Sequence, residues 1–464
     1  MKLVPLDSKL SKTWDDFCLR SPDAWFWHTT EWLDYNLAYR PELQPRSYSF
    51  LCLQDSKLVA VVPLLLTHHE QDGRSWKEFS LSGNFLPSPA LIDGLPQAER
   101  DDLLDFIFAA IDDMAEELGV ARSRFRVDPL RPALLKPKYA PYNHLLRHGY
   151  ADCSLNTQII DLRLPRNELR AGLRRNHARS LEKARQLFQI KLHSGAALTD
   201  EKFNEYVRMH ARAAGRVTRP RATFDMMRAW IQDGRGLVAE AVADDGRTAG
   251  FELYVTHKKA SYGLSACNEP EYKHLPIRHL IEWEAMMWLR DHDVEFYEIG
   301  EQHFGTLPYD FPEKKNVDIS HFKYGFGGAT VPSFYAERFH SADHWQAEQR
   351  LRNERFAARY PWKSDPRSDA GRAFLESLKH ADEPAAETAA EIETPLSPEL
   401  LHLAEVLVRE NPESVKKCAD GNPKAMHFLV GLALRGPGRG QDPQLLRRAI
   451  ERAIAQIIAG AEQT

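Results

Sequence analysis

Apolar and polar positions follow two different periods along the first 335 residues. Residues 47–66 hold two β-rich runs interrupted by an Asp-Ser pair, which predicts a strand, a turn and a strand. Residues 98–119 carry apolar side chains at helical spacing and end at Gly119, which predicts an amphipathic helix. The same order returns later, with strands predicted at 157–164, 236–257, 259–266 and 294–300. We therefore expect two successive α/β units of similar length.

Helical periodicity fills the segments between the later strands. Helices are predicted near 166–188, over 200–213 and over 276–293. Residues 336–380 are predicted to be helical and charged, and the acidic, alanine-rich stretch 381–395 is predicted to be a linker. Residues 396–464 are predicted to form three short helices, with breaks at 420–423 and 435–443.

Composition narrows the classes of function. The chain has 464 residues and a net charge of -5, so any contact with nucleic acid must come from local basic patches. The five cysteines are scattered without C-x-x-C spacing, which favours a reducing compartment over a disulfide framework or a zinc site. The chain lacks an apolar leader and its longest apolar run is Leu58–Leu66, so we expect a cytoplasmic protein with no transmembrane segment. The H-E-x-x-H, G-x-S-x-G and P-loop motifs are absent.

Cations concentrate in the predicted helix 166–188. From Arg166 to Arg185 the chain holds seven Lys or Arg residues and two Glu, a net charge of +5. Lys and Arg at spacing i, i+4 and i+8 share one helix face, which suits a polyphosphate backbone because each guanidinium can bind two phosphate oxygens. The alternative is a solvated face with internal Glu–Arg pairs. The candidate nucleic-acid-binding residues of this segment are Arg174, Arg175, Arg179, Lys183 and Arg185.

Side chains able to do chemistry cluster around the predicted strand 294–300. Glu298 lies at the end of that strand, and Glu301 and His303 follow it in a loop, where α/β folds place reacting groups. Lys323 lies between two aromatic residues before a glycine-rich turn, a setting that would desolvate it and aim it at a developing oxyanion. The alternative is a lysine on a strand edge with its charge in water. The predicted catalytic residues are Lys323 and Glu298. The residues predicted to orient the substrate are Glu301, His303 and Tyr324.

The last segment contains a second basic patch. Between Lys416 and Arg452 there are eight cations and three acids. The candidate nucleic-acid-binding residues here are Lys416, Lys417, Lys424, Arg435 and Arg439. Apolar positions from Met426 to Leu432 provide a small core, so a docking or oligomerisation domain is the alternative interpretation.

One stretch of this segment, 410–446, resembles the tail domain shared by the GatB subunit of tRNA-dependent amidotransferase and the YqeY proteins. It reads ENPESVKKCADGNPKAMHFLVGLALRGPGRGQDPQLL, with an ENP-x-x-V opening, a central FLVG and a glycine-basic-D/N-P-x-L close. In that family the tail is associated with tRNA. The chain departs from the family pattern at KCADGN and at Leu432, where a D-Y-K-x-G-K-like stretch and Gln are usual.

The first 335 residues resemble the Fem-type (FemABX-like) transferases, which have a paired GNAT fold. The supporting segments are AWFWHTTEWLDY, DSKLVAVVPLLL, LRRNHARSLEKAR, VEFYEIG and HFKYGFGG. Fem enzymes transfer an amino acid from aminoacyl-tRNA to an amine, and their closing FK motif includes a lysine linked to transition-state stabilisation, which Lys323 matches. A GNAT enzyme that uses CoA would carry a glycine-containing loop before the helix predicted at 276–293, and residues 269–280 contain no glycine.

The resemblance implies an α/β (α+β) fold of two tandem GNAT-like subdomains followed by a small all-α domain. The implied domains are 1–150, 151–335 (catalytic), a helical extension 336–380, the linker 381–395 and the tail 396–464. The implied function is transfer of an aminoacyl group from charged tRNA to the amine of a peptide or small molecule, with no cofactor besides the tRNA co-substrate. An acyltransferase dependent on acyl-CoA or acyl-carrier protein, and a non-catalytic tRNA-binding protein, are the alternatives. The amino acid, the acceptor and the oligomeric state stay open.

Overall fold

The structure is a computed structural model that describes residues 1–135, 142–304, 312–359, 370–379 and 396–461. The chain divides into two compact units, Met1–Pro361 and Trp362–Thr464. The predicted linker 381–395 lies outside the described residues. The domain boundaries given above stay predictions.

Residues 1–135 combine short strands with one long helix. The strands are Lys2–Pro5 (β1), Arg46–Ser47 (β2), Phe50–Gln54 (β3), Lys57–Val62 (β4), Leu65–Gln71 (β5), Arg74–Phe79 (β6), Leu86–Pro87 (β7), Ala90–Leu91 (β8) and Val120–Val127 (β9). The helices are Ser11–Arg20 (α1), Thr30–Tyr39 (α2), Gln97–Leu118 (α3) and Pro132–Leu135 (α4). The predicted hairpin is confirmed as β3 and β4, and the predicted amphipathic helix is confirmed as α3. Gly119 ends α3 in the left-handed region, with φ of 65°.

The second half of the larger unit repeats this mixture on a larger scale. Its strands are Ala151–Asp152 (β10), Leu155–Asp161 (β11), Phe188–His193 (β12), Gly236–Ala243 (β13), Thr248–His257 (β14), Ala260–Asn268 (β15), Phe296–Gln302 (β16) and Ala329–Phe339 (β17). Its helices are Arg166–Ala171 (α5), Arg175–Arg185 (α6), Asp200–Ala214 (α7), Arg221–Gln232 (α8), Ile277–Asp291 (α9), Lys314–Tyr324 (α10) and Ala342–Arg359 (α11). The predicted helical extension begins too early, because residues 336–339 pair with β9 and end β17.

Both halves share one sheet. In the described residues its strands follow the order β12-β13-β14-β15-β16-β11-β17-β9-β6-β5-β2. The halves join where β17 pairs antiparallel with β9, with Phe334 opposite Val127. Each half contains a strand, a helix and a parallel strand, β6–α3–β9 in the first and β15–α9–β16 in the second. A parallel pair needs such a crossover helix, so the repeated sequence pattern corresponds to a repeated structural unit.

Different helices cover the two faces of the second half's strands. Alternate residues of β14 point to opposite faces, as in any extended strand. Phe251 and Leu253 belong to a core cluster with residues of α7 and α8, whereas Tyr254 belongs to a cluster with residues of α6 and α9. The sheet therefore separates an α7/α8 face from an α6/α9 face, and both bear on the site described below.

The smaller unit is helical. Its helices are Ala370–Lys379 (α12), Pro398–Glu410 (α13), Pro412–Ala419 (α14), Pro423–Arg435 (α15) and Pro443–Ala461 (α16). Residues 396–461 thus form four helices in place of the three predicted. The additional break falls at Asn411, because Pro412 lacks the backbone N–H that would continue α13 and instead starts α14. Leu400, Leu407, Leu429 and Ile450 form part of a core within this unit.

Candidate active site

Strands β15 and β16 leave a gap in the sheet. They pair in parallel from Ala260 opposite Phe296 to Tyr262 opposite Glu298. Beyond that point both strands continue, and within the described residues no further pairing joins them. On its other side β16 stays paired with β11 as far as Gln302. The hydrogen-bonded ladder therefore opens next to Glu298.

Lys323 lies beside this gap, in the last turn of α10. Its Nζ donates a hydrogen bond to the main-chain carbonyl oxygen of Glu301 at 2.9 Å. Gly300 has a φ of 115°, and a Cβ there would come within 2.7 Å of Nζ, so the close approach requires glycine. Burial lowers the pKa of Lys323, and the carboxylates of Glu301 and Glu298 oppose this shift. The strand-edge alternative for Lys323 is wrong, because the residue is helical.

Glu298 is almost fully buried in β16, with 2% of its surface exposed. Its Oε1 accepts a hydrogen bond from the Thr157 hydroxyl at 2.6 Å. Its Oε2 is also buried and accepts no hydrogen bond from the described residues. Burial raises the pKa of Glu298 to about 8, the Asp128 carboxylate adds to the rise, and the Arg126 guanidinium opposes it. A carboxyl group that titrates in this range is suited to general-base catalysis.

Glu301 and His303 follow Glu298 along the chain. The loop position predicted for Glu301 is wrong, because β16 pairs with β11 through this residue. The Glu301 Oε1 accepts a hydrogen bond from the Tyr335 hydroxyl. His303 comes directly after the strand, as predicted, and its backbone N–H donates to the Ser320 Oγ at 2.7 Å. This bond ties the end of β16 to α10, the helix that carries Lys323.

A cavity of about 400 Å³ opens between the two halves, beside Glu301 and His303. Its aromatic lining residues are Trp27, Trp32, Phe85, Tyr262 and Tyr335. Arg126 and Glu301 are the charged lining residues among those that the structure describes. Lys323 and Glu298 do not line it, but Lys323 bonds to the main chain of Glu301 and Glu298 lies on the same strand. Glu301 and His303, two of the residues predicted to orient the substrate, therefore line the cavity themselves.

The basic segment consists of two helices, α5 and α6, so the single helix predicted for 166–188 is wrong. The chain leaves helical geometry at Gly172–Arg174, where Leu173 is buried. The Arg174 N–H donates to the carbonyl oxygen of Gly325 at 2.9 Å, and this contact replaces a helical hydrogen bond. The break therefore depends on a distant part of the chain.

The predicted cations of this segment nevertheless stay together. Arg174 precedes the first residue of α6, and Arg175, Arg179, Lys183 and Arg185 lie along that helix. All five residues are exposed. Arg185 also forms ion pairs with Glu182 and Glu284, so internal pairing, the alternative interpretation, applies to the last of the five.

The first turn of α6 packs against α10. The Nε2 of His177 lies 2.9 Å from the carbonyl oxygen of Phe322. The Arg174 guanidinium lies 5.6 Å from the ring centre of Tyr324, so Tyr324 contacts the basic helix and not the cavity. Arg174 and Arg175 also line a shallow pocket at this junction. The cationic end of α6 therefore adjoins the helix that carries Lys323, a link between two features that the sequence predicted separately.

A polar cluster that sequence reasoning missed lies on the α9 side of the gap. Arg278, in the first turn of α9, forms ion pairs with Glu252 and Glu282. The Tyr254 hydroxyl donates to Glu252 at 2.6 Å, and the Tyr297 hydroxyl donates to Glu282 at 2.6 Å. Burial raises the pKa of Glu252, and Arg278 opposes the rise. The available signal was an acid inside the apolar run FELYV, which marks a buried carboxylate that needs partners.

This cluster occupies the space directly over β15. A Cβ on Gly263 would lie 3.1 Å from the Glu252 Oε1 and 3.1 Å from the Tyr297 hydroxyl. The two side chains, one from β14 and one from β16, thus meet above the strand that borders the gap. The connection from β15 to α9 contains a short helical turn at Pro270–Tyr272 and no glycine.

The predicted cations of the smaller unit are exposed and form two groups. Lys416 and Lys417 lie in the last turn of α14 and Lys424 lies in the first turn of α15, around one interhelical turn. Arg435 ends α15 and Arg439 follows it. The helix rise places the second group about 16 Å along α15 from the first.

The described part of the chain has neither a membrane-spanning helix nor a metal-binding cluster. None of its helices combines the length and the apolar character that a membrane span needs. No group of three or more His, Cys, Asp or Glu side chains is arranged to hold a metal ion.

Comparison with known proteins gives one family match. Residues 168–311 match the family described as acetyltransferase (GNAT) domain. Residues 168–311 thus form a GNAT-type acyltransferase domain. The matched range includes Glu298, Glu301 and His303 and ends before Lys323. No curated protein matches the chain.

Comparison with solved structures gives matches at low sequence identity. FemX has a TM-score of 0.53 at 12% identity, over 75% of this chain and 99% of that protein. L-PGS from Bacillus licheniformis has a TM-score of 0.40 at 11% identity, over 71% of this chain and 97% of that one. A tandem GNAT protein from the clavulanic acid biosynthesis pathway has a TM-score of 0.43 at 14% identity, over 73% of this chain and 98% of that protein. The predicted fold class is confirmed as mixed α/β with tandem GNAT-like domains and a helical C-terminal region.

Proposed function

We propose that this protein transfers an aminoacyl group from a charged tRNA to an amine, forming an amide. The observation that carries the proposal is the contact between α6 and α10, in which His177 meets Phe322 one residue before Lys323. An RNA backbone bound along the exposed cations of α6 would bring a nearby 3′ end to the gap beside Glu298. The GNAT-type domain provides the fold of an acyltransferase.

The α9 side of the gap supports a donor other than CoA. The connection between β15 and α9 has no glycine to allow close approach of a pyrophosphate to the main chain. An acyl donor entering from this side would also have to displace Glu252 and Tyr297 from the space above Gly263. Removing one partner from a buried ion pair costs about 3–5 kcal/mol, so the cluster opposes such an entry.

In the proposed reaction one ester bond breaks and one amide bond forms. The amine attacks the carbonyl carbon of the aminoacyl ester, and the carbonyl oxygen becomes an oxyanion. The Lys323 ammonium stabilises this oxyanion. Glu301 orients the amine from the cavity wall, and Glu298, through its free Oε2, takes the proton that the amine loses. The proton ends on the ribose hydroxyl oxygen that leaves with the tRNA.

We assign the smaller unit to a separate contact with the same tRNA. Its resemblance to the GatB and YqeY tail supports this assignment, as do the two groups of exposed cations at the ends of α15. A second contact joined to the first by the same chain raises the effective concentration of tRNA at the larger unit.

A product assay tests the proposed function. The protein is incubated with total charged tRNA and a mixture of primary amines, and new amides are identified by mass spectrometry. We expect an amide that requires both the charged tRNA and Lys323, with uncharged tRNA as the control. The acyl-CoA alternative instead requires CoA binding in a calorimetric titration, and CoA binding together with no amide from charged tRNA would refute the proposal.

A further inference from the structure

Several aromatic rings line the cavity between the two halves. The ring centres of Trp27 and Trp32 are 4.4 Å apart, and those of Trp27 and Tyr262 are 5.4 Å apart. Across the lining, the ring centres of Phe85 and Tyr335 are 4.7 Å apart. Aromatic faces attract organic cations, and the described lining already holds one, because the Arg126 guanidinium lies 5.4 Å from the ring centre of Trp27 and 5.8 Å from that of Tyr335.

The charged side chains of the described lining are Arg126 and Glu301. Arg126 already has a carboxylate partner, because its Nη2 donates to Asp128 at 2.7 Å. Its Nη1 donates to the Tyr335 hydroxyl at 3.4 Å. Glu301 is the carboxylate among the described lining residues, and Lys323 bonds to its main-chain oxygen rather than to its side chain. A phosphate in this cavity would have to compete with Asp128 for Arg126, whose Nε is left without a partner in the described residues, whereas an ammonium group could pair with Glu301.

Trp27, a lining residue, offers an unused hydrogen-bond donor. Trp27 is 4% exposed, and its Nε1 is buried without a partner in the described residues. Leaving such a donor unpaired costs about 1–3 kcal/mol, so a ligand that supplies an acceptor oxygen would gain from this contact. The lining therefore offers a site for a positive group and a separate donor for a neutral oxygen.

We propose that the acceptor amine is a compact ammonium compound with an apolar or aromatic body, a neutral oxygen and no phosphate. This inference rests on the proposed function and names the substrate class of the same site. The cavity volume of about 400 Å³ lies towards the low end of small-molecule pockets, which suits a molecule of amino-acid or dipeptide size. A nucleotide-linked acceptor does not fit this lining.

Binding titrations without tRNA test the acceptor class independently of turnover. The probes are tyramine, its uncharged counterpart 4-hydroxyphenylethanol, and uridine diphosphate, each titrated into the full chain by calorimetry. We expect tyramine to bind at least about tenfold more tightly than the alcohol, because a charge-assisted contact is lost in the alcohol. Tighter binding of uridine diphosphate than of tyramine would overturn the proposal.

Variants locate the binding in the cavity. Glu301→Gln keeps an acceptor for Tyr335 but removes the charge, and should weaken tyramine binding about tenfold while leaving the alcohol unchanged. Phe85→Leu, in a half-buried position, should weaken tyramine binding about threefold through loss of one ring. Glu70→Gln, exposed on the β5–β6 hairpin, is the matched control. Tyramine binding that neither cavity variant weakens would overturn the proposal.

The outcomes separate the acceptor class from the donor. Tyramine binding that depends on Glu301, without amide formation from any charged tRNA, would refute the tRNA donor and support the ammonium site. Transfer from charged tRNA to a phosphate-bearing acceptor in preference to tyramine would support the donor and overturn the acceptor class.

Discussion

The Lys323 ammonium occupies the space that a side chain at Gly300 would fill. The distance from Nζ to an ideal Cβ at residue 300 is 2.7 Å, and Gly300 holds a φ of 115°. Gly300 in β16 and Lys323 at the end of α10 thus fit against each other, although they lie 23 positions apart in the chain. The absence of a side chain at Gly300 therefore allows the Lys323 ammonium to lie where it does.

Gly300→Ala should therefore reproduce the loss of Lys323. The added methyl group would push Nζ away from the gap, and we expect turnover to fall about 100-fold, as for loss of an oxyanion donor. Gly94→Ala is the matched control, because Gly94 also has a positive φ, of 80°, but open space around it. Backbone strain should lower the free energy of unfolding of both variants by about 1–3 kcal/mol, which thermal unfolding measures. Displacement of the lysine should lower turnover in the Gly300→Ala variant alone. A Gly300→Ala enzyme with the turnover of the Gly94→Ala enzyme would contradict this account.

Lys323→Met should lower turnover about 100-fold and leave tRNA affinity within about twofold of the wild type. The reason is that the ammonium acts on the oxyanion and not on the RNA backbone. Lys314→Met is the control, since Lys314 lies on the same helix with 87% of its side chain exposed. The measurements are single-turnover transfer and filter binding. Equal losses in the two variants would remove Lys323 from the catalytic residues.

Glu298→Gln should change the pH dependence of both turnover and stability. The pKa of Glu298 is raised to about 8, so turnover that needs its ionised form should rise with pH through about 8, and the variant should lose this rise. A raised pKa means that the folded state favours the neutral form. The contribution to stability is therefore fully present below the unfolded value of about 4.5 and is lost as the pH rises through 8.

The side chain at position 298 cannot ionise in the variant. The stability of the variant relative to the wild type should therefore be greater at pH 8.5 than at pH 5. Urea unfolding at the two pH values measures the difference. A constant difference between variant and wild type would show that Glu298 does not titrate in this range.

Charge reversal on α6 should weaken tRNA binding and its salt dependence. The triple variant Arg175→Glu, Arg179→Glu, Lys183→Glu removes three exposed cations from one helix face. Each phosphate contact contributes about 0.7–0.9 to the slope of log K against log salt, so the slope should fall by about two to three. The control reverses Lys9, Lys12 and Arg20, which are exposed near the N-terminus. An equal effect of the control triple would show that the helix is not a specific contact.

Deletion of residues 396–464 should also weaken tRNA binding and flatten its salt dependence. The deletion removes both groups of exposed cations around α15. The remaining larger unit has its own hydrophobic core and should still fold. Binding of charged tRNA at full strength by the shortened chain would refute a role of the tail in tRNA binding.

Local signals predicted the elements of the fold well. Gly119 ends α3 because glycine tolerates the left-handed conformation, and the hairpin of β3 and β4 follows from two β-rich runs around a turn. The break between α5 and α6 was not predictable in this way, because it depends on Arg174 bonding to the distant Gly325. The extra helix of the tail was visible in principle, since Pro412 marks it.

The site was predictable in its residue types and less so in its arrangement. Lys323 stood out through its aromatic and glycine neighbours, but only the structure pairs it with Gly300. The ion pairs of Arg278 join residues from β14 and α9, and no local spacing reveals such partners. The aromatic lining of the cavity comes from both halves of the chain, so its assembly depends on the shared sheet.

The most direct test of the central claim follows the fate of the aminoacyl group. Total tRNA charged with radiolabelled amino acids is mixed with the protein and tyramine, and label is followed from acid-precipitable RNA into soluble product. We expect transfer from at least one charged tRNA by the wild type and about 100-fold slower transfer by Lys323→Met. Label that stays on every tRNA, together with acylation of tyramine from an acyl-CoA, would contradict the proposed transfer from charged tRNA.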